Sequence, residues 1–161
     1  MEAQIKKNDD ISVYIENQEY IANTYVMKCF SVTMILYFLT FLLNICGIFI
    51  IDQSVMQSGF VPSLIIYFIV YLVTKKVSLS DIRTKYFILF CVVLVFTIIG
   101  MTITYHVVLI ALLPILYATL YTSKRVMGYV YGLTVVSTVV VVYGQLDNKN
   151  QNVQFRNGNR I

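Results

Sequence analysis

Charged residues are scarce in this chain of 161 residues and are missing from long parts of it. Asp, Glu, Lys and Arg make up 12% of the sequence and hydrophobic residues 58%, whereas an average soluble domain has about 25% charged residues. The segment 29–51 contains no charged residue at all. Uncharged apolar runs of about 18 residues or more are typical of membrane-spanning helices. The composition therefore excludes an ordinary soluble globule and predicts an integral membrane protein.

Ionisable Asp, Glu, Lys and Arg side chains are absent from every predicted span, although such residues usually mark transport or catalytic sites in membranes. Their absence argues against a proton-coupled transporter, a metal channel and an intramembrane protease. The lone His106 has Asp52 as its nearest partner in the other outer loop, which gives at most two ligands, so we predict no metal site. Asn44, the most polar residue in a span, is predicted to form an interhelical hydrogen bond.

Several motifs with a known chemistry are also absent. The sequence has no dinucleotide-binding, P-loop, zinc-protease or nucleophile motif, so we predict no enzyme activity, no catalytic residue and no cofactor. Three cysteines, Cys29, Cys46 and Cys91, lack metal-binding spacing and are interpreted as packing residues. Tryptophan is missing, and tyrosines near the predicted span ends provide the interfacial aromatic belt instead.

The apolar runs predict an all-α fold, a multi-pass membrane helical bundle. Residues 1–28 form a polar, partly helical lead-in with Asp9 or Asp10 as a helix cap. Residues 29–144 form the membrane domain, and the asparagine-rich tail 145–161 is predicted to be disordered. About five spans are expected, with these approximate bounds: 29–51, 55–74, 86–103, 107–121 and 126–143.

The third and fourth spans are interpreted as a helical hairpin. A single helix over 86–121 would be about 54 Å long, well beyond the hydrocarbon core of about 30 Å. Pro114 is expected to kink the fourth span because it cannot donate to the carbonyl of Ile110. Pro62 is expected in the first turn of the second span, and Ser78 or Ser80 is expected to cap the third.

Basic residues are concentrated in two of the connections between spans and absent from the other two. They are Lys75, Lys76, Arg83, Lys85, Lys124 and Arg125. The positive-inside rule then predicts a plasma-membrane protein with a cytoplasmic N-terminus. Because these residues form no helical stripe, the predicted partner is the lipid bilayer and not nucleic acid. The C-terminal tail, which also contains basic residues, would lie outside after five crossings.

The fifth span contains the pair Gly128 and Gly132 in a G-x-x-x-G pattern, which permits close approach of two helices. The pattern fits packing within one chain and a homodimer through membrane helices equally well.

The residues Leu113–Thr119, Tyr121–Arg125 and Tyr129–Gly144 resemble the N-terminal membrane region of bacterial GGDEF-type diguanylate cyclases and related HD-domain signalling proteins of Firmicutes. The likeness extends more loosely from about Glu19 to Gly144. It implies a multi-pass sensor region, followed in the family by a returning span and a cytoplasmic output domain. No catalytic residue of that family lies in the membrane region. The chain shows neither the returning span nor a GGDEF or HD signature after Gly144, which suggests truncation.

Two functions are therefore expected. The first is the membrane input or sensor module of a signalling protein, with the cytoplasmic output domain absent from this chain. The alternative is a small independent membrane protein that acts as a structural or accessory subunit.

Overall fold

The computed structural model describes residues 2–48, 51–77, 79, 81–102 and 107–158, and all regular secondary structure among them is helical. The helices are α1 (Glu2–Ile45), α2 (Gln53–Lys76), α3 (Ile82–Thr102), α4 (Val107–Thr119) and α5 (Lys124–Gly158). Within these residues, α1, α2, α3 and α5 are each long and apolar enough to cross a membrane. The predicted all-α membrane helical fold is confirmed.

The first helix joins the polar lead-in to the first span without interruption. It has 44 residues and is therefore about 66 Å long at about 1.5 Å per residue. Asp9 and Asp10, which we expected to cap a helix, lie inside it instead. The expected cap is wrong because no proline or glycine interrupts residues 2–28, so the helix continues through both aspartates.

The first helix also ends earlier than the predicted residue 51. Gly47 has a φ of 75°, which a residue with a side chain rarely adopts. The amide of Gly47 donates to the carbonyl of Asn44 at 3.0 Å, and the amide of Ile48 donates to that of Leu43 at 3.1 Å. This pair of bonds is a Schellman motif, which terminates the helix.

Aspartates begin the next two helices. The carboxylate of Asp52 accepts from the amide and hydroxyl of Ser54, and these bonds hold the pKa of Asp52 below its usual value. Asp81 accepts from the amide of Arg83 at 2.9 Å and so caps α3; Ser78 and Ser80 lie outside the described residues. Pro62 stands in the interior of α2, not in the first turn as expected, because the Asp52 cap starts the helix nearer the N-terminus.

Paired contacts fix the direction of the helices. α1 and α3 run parallel, and α3 and α5 run parallel, while α2 and α4 run opposite to them. Glu19–Lys85 and Tyr37–Thr102 establish the direction for α1 and α3, and Tyr86–Tyr129 and Thr97–Ser137 do so for α3 and α5. Phe30–Tyr67 and Phe41–Phe60 set α2 opposite to α1, and Thr33–Tyr117 with Asn23–Tyr121 sets α4 opposite to α1. The connections 77–81 and 120–123 therefore lie at one end of the bundle, which we refer to as the basic end.

The third helix lies at the centre of the bundle. It contacts every other helix, and 61% of its span is buried, against 28% for α1 and α2 and 22% for α5. Hydroxyl pairs connect the helices: Ser31 with Tyr67 at 2.9 Å, Thr33 with Tyr117 at 2.5 Å and Thr97 with Ser137 at 2.6 Å. Such bonds between membrane helices stabilise the packing modestly, by about 0.6 kcal/mol each.

The last helix differs from the predicted span in length. The described part of α4, Val107–Thr119, agrees with the predicted fourth span 107–121 to within two residues, and residues 103–106 before it lie outside the described residues. α5 continues past Gly144 to Gly158, through a segment for which the sequence predicts disorder. No proline interrupts this segment, and extending an existing helix requires no new nucleation.

Candidate functional site at the basic end

Polar side chains from different parts of the chain meet at the basic end. Glu19 and Asn23 lie four residues apart on α1 and so on one face of the helix. Lys85 lies in the first turn of α3, and Tyr121 lies in the connection between α4 and α5. We call these four residues the polar junction.

Asn23 connects two loops to the first helix. Its amide nitrogen donates to the carbonyl of Leu79 at 2.6 Å, and its amide oxygen accepts from the hydroxyl of Tyr121. The Asn23 side chain is fully buried. A buried amide without partners destabilises the folded state by about 1–3 kcal/mol. The two hydrogen bonds of Asn23 therefore hold both connections against α1.

Glu19 and Lys85 form an ion pair in which the ammonium donates to Oε1 of the carboxylate. The side chains are 17% and 7% exposed, respectively. The ammonium also lies 5.6 Å from the ring centroid of Tyr86. Oε2 of Glu19 is buried and has no hydrogen-bond donor within the described part of the chain. The pair therefore leaves one buried carboxylate oxygen without a donor among these residues.

A cavity of about 290 Å³ lies against this ion pair. Its polar lining includes Glu19, Lys85 and Ser123, while Ile15 and Leu120 line it with aliphatic groups. A cavity of this size approaches the lower limit for small-molecule sites, about 300 Å³. The arrangement can therefore hold a small group that is polar on one side and aliphatic on the other.

The basic residues predicted to set the topology lie at this end. Lys75, Lys76, Arg83, Lys124 and Arg125 are exposed, and the Lys75 ammonium lies 5.0 Å from the ring centroid of Tyr71. Lys85 differs from the others because it is buried and paired with Glu19. Its role in the fold therefore extends beyond the topogenic charge that the sequence predicts.

Asn44 and Pro114, two of the predicted packing residues, lie at the end of α1 and inside α4, respectively. Asn44 bonds the backbone of Ile51 through both its amide nitrogen and its amide oxygen, each at 3.3 Å. These bonds are to the connection after α1 and not to another helix, because α1 ends immediately beyond Asn44. Pro114 lies inside α4 and is fully buried.

Gly128 and Gly132 lie on the exposed side of α5. A methyl group added at either position would meet no atom within 4 Å. Among the described residues the glycines therefore make no close helix contact, so packing within one chain loses support, and contact between two chains stays a prediction.

Sequence reasoning overlooked Glu19, Asn23 and Tyr121. The spacing of Glu19 and Asn23 on one helical face was a usable signal, but their partners are 66 and 98 residues away.

Cys29 and Cys46 are exposed, whereas Cys91 is buried. In the described residues no group of His, Cys, Asp and Glu is arranged to hold a metal ion; His106 lies outside them.

Comparisons with known proteins add no relative. No family model, curated protein or solved structure matches this chain.

Proposed function

We propose that the chain is the membrane input module of a signalling protein whose output domain lies outside this chain. The observation that supports this proposal is the attachment of α1 to the polar junction. The helix passes uninterrupted from Glu2 through the membrane segment to Ile45. Glu19 binds it to the first turn of α3, and Asn23 binds it to the two connections at the basic end.

This arrangement can transmit a displacement. A change in the packing of α3 or α4 moves Lys85 or Tyr121, and these residues are bonded directly to α1. Residues 2–18 of α1, about 25 Å of helix at about 1.5 Å per residue, then move as an extension of the membrane segment. A ligand that favours one of two packing arrangements would shift this equilibrium.

The proposed orientation places the basic end in the cytoplasm of the cell, at the plasma membrane. With α5 parallel to α1, the C-terminal end of α5 leaves the bundle at the opposite end. An output domain C-terminal to this chain, as in the GGDEF and HD proteins that it resembles, would therefore need one further crossing to reach the cytoplasm.

Reading the DNA downstream of the codon for Ile161 in all frames tests this proposal. We expect a reading frame that encodes a further hydrophobic span and then a GGDEF or HD signature. Unrelated downstream sequence, together with co-purification of the chain with one specific membrane complex, would instead favour the accessory-subunit function.

A further inference from the structure

The cavity at the polar junction is larger than a water site. Its volume of about 290 Å³ is roughly ten times the 30 Å³ that a water molecule occupies in the liquid. Glu19, Lys85 and Ser123 make one part of its lining polar, and Ile15, Ala22 and Leu120 make another part apolar. An occupant that matches both parts has a small polar group joined to an aliphatic one.

The ion pair restricts the charge of this polar group. Oε1 of Glu19 accepts from Lys85, while Oε2 is buried and lacks a donor among the described residues. A carboxylate oxygen binds most strongly to a charged donor such as an ammonium group. The adjacent Lys85 ammonium, however, would repel a lone cation. A group that contains both an ammonium and an anion satisfies Glu19 and Lys85 together.

The position of the cavity at the ends of the membrane spans indicates where such a group would come from. Lys85 lies in the first turn of α3, where the predicted membrane span begins, and Lys124 and Arg125 follow the cavity residue Ser123 directly. Basic residues at span ends lie at the level of lipid headgroups. The cavity is therefore placed to receive a headgroup from the surrounding leaflet.

We propose that this cavity binds a lipid headgroup in which a primary ammonium is joined to a phosphate, as in phosphatidylethanolamine. The ammonium donates to Oε2 of Glu19, the phosphate faces Lys85 and the hydroxyl of Ser123, and the aliphatic part contacts Ile15 and Leu120. This site does not depend on the input function proposed above.

Phosphatidylcholine provides a matched comparison because its trimethylammonium group has no N–H donor for Glu19. The purified chain is equilibrated with equal amounts of the two lipids with identical acyl chains, and the retained lipid is counted by native mass spectrometry. We expect phosphatidylethanolamine to be retained about tenfold over phosphatidylcholine, the preference expected from one charge-assisted hydrogen bond. Equal retention of the two lipids would overturn the proposal.

Soluble phosphoethanolamine distinguishes a lipid site from a site for the free headgroup. We expect it to displace the retained lipid only at high concentration, because it lacks the aliphatic part. Binding of phosphoethanolamine without any preference between the two lipids would overturn the lipid assignment.

Substitutions locate the site. The double variant Glu19→Gln with Lys85→Met removes both charges and leaves neither unpaired, and we expect it to lose the preference. The control Glu16→Gln changes an exposed carboxylate on α1 that does not line the cavity. This variant should keep the preference for phosphatidylethanolamine. A double variant that still prefers phosphatidylethanolamine would contradict the site. Should the double variant not fold, Ser123→Ala is expected to lower the preference, and an unchanged preference would contradict the proposed phosphate contact.

Discussion

At the scale of single residues, Asn23 shows why an amide suits the junction of three segments. An amide group is both a donor and an acceptor, so one side chain can bind the carbonyl of Leu79 and the hydroxyl of Tyr121 together. An ionised carboxylate at this position could not donate to the Leu79 carbonyl, because it is only an acceptor. The identity of residue 23 therefore determines how the two connections at the basic end are held.

We expect Asn23→Leu to destabilise the protein by about 1–3 kcal/mol, because the Leu79 carbonyl and the Tyr121 hydroxyl lose their partner while buried. The free energy of unfolding in mixed detergent micelles measures this effect. Thr24→Ala is the control: among the described residues the Thr24 hydroxyl bonds just the carbonyl of Tyr20 in its own helix, and its removal should change stability by less than about 0.5 kcal/mol. Equal effects of the two substitutions would refute the role given to Asn23.

At the scale of helices, the close approach of α2 to α3 depends on one glycine that the sequence pattern did not single out. A methyl group added at Gly59 on α2 would lie 2.2 Å from Cγ2 of Thr102 on α3. Thr102 is itself buried and donates to the carbonyl of Ile99 at 2.8 Å, so its side chain has little freedom to move aside. The G-x-x-x-G motif, in contrast, lies on the open side of α5.

We expect Gly59→Ala to destabilise the bundle by about 1–3 kcal/mol through overpacking between α2 and α3. Gly128→Ala is the matched control, since the added methyl group meets open space and alanine is a better helix former by about 1 kcal/mol. Thermal unfolding of both variants in the same detergent compares them. A stabilised Gly59→Ala protein would show that the two helices do not approach as closely as described.

The open surface of Gly128 and Gly132 leads to a prediction about self-association, which tests the homodimer that the G-x-x-x-G pattern left open. We expect the double substitution Gly128→Ile with Gly132→Ile to lower crosslinking between chains in a bilayer, because the larger side chains keep two α5 helices apart. Since neither position is packed against the described residues and isoleucine is a better helix former than glycine, the monomer should unfold at the same temperature or a higher one. Unchanged crosslinking would remove the dimer contact at these glycines.

At the scale of the whole molecule, the alternating directions of the helices place the basic residues at one end. Exposed basic residues in the helix ends beside the two connections lie there together with Glu19 and Asn23, while Cys46, Gly47 and Ile48 after α1 lie at the opposite end. This separation is the physical basis for the proposed orientation, because moving basic residues across the membrane is unfavourable.

Cysteine labelling in intact cells tests the orientation. With Cys29 and Cys91 replaced, the native Cys46, which is exposed, is expected to react with a membrane-impermeant maleimide added outside. Val77→Cys in a chain without other cysteines should react only after the cells are permeabilised, because Val77 is exposed at the basic end. Labelling in the reverse order would overturn the proposed orientation.

The membrane spans were predictable because a span depends on the composition of one continuous segment. Uncharged runs therefore located α1, α2, α3 and α5, although the exact ends were set by local hydrogen bonds at Gly47, Asp52 and Asp81. The length of α5 was less predictable, because the helix continues to Gly158, past the loss of hydrophobicity after Gly144.

The sequence by itself determined that this protein is a helical membrane protein with its basic connections at one end, since the cost of burying a charge in lipid depends on each residue and its near neighbours. Only the tertiary structure decided that Glu19 and Lys85 pair, that Asn23 binds Tyr121, and that a cavity forms beside them. These partners are 66 and 98 residues apart, and they meet because α1 and α3 run parallel while α4 returns to the same end. The candidate site is thus a product of helix packing that no local pattern specifies.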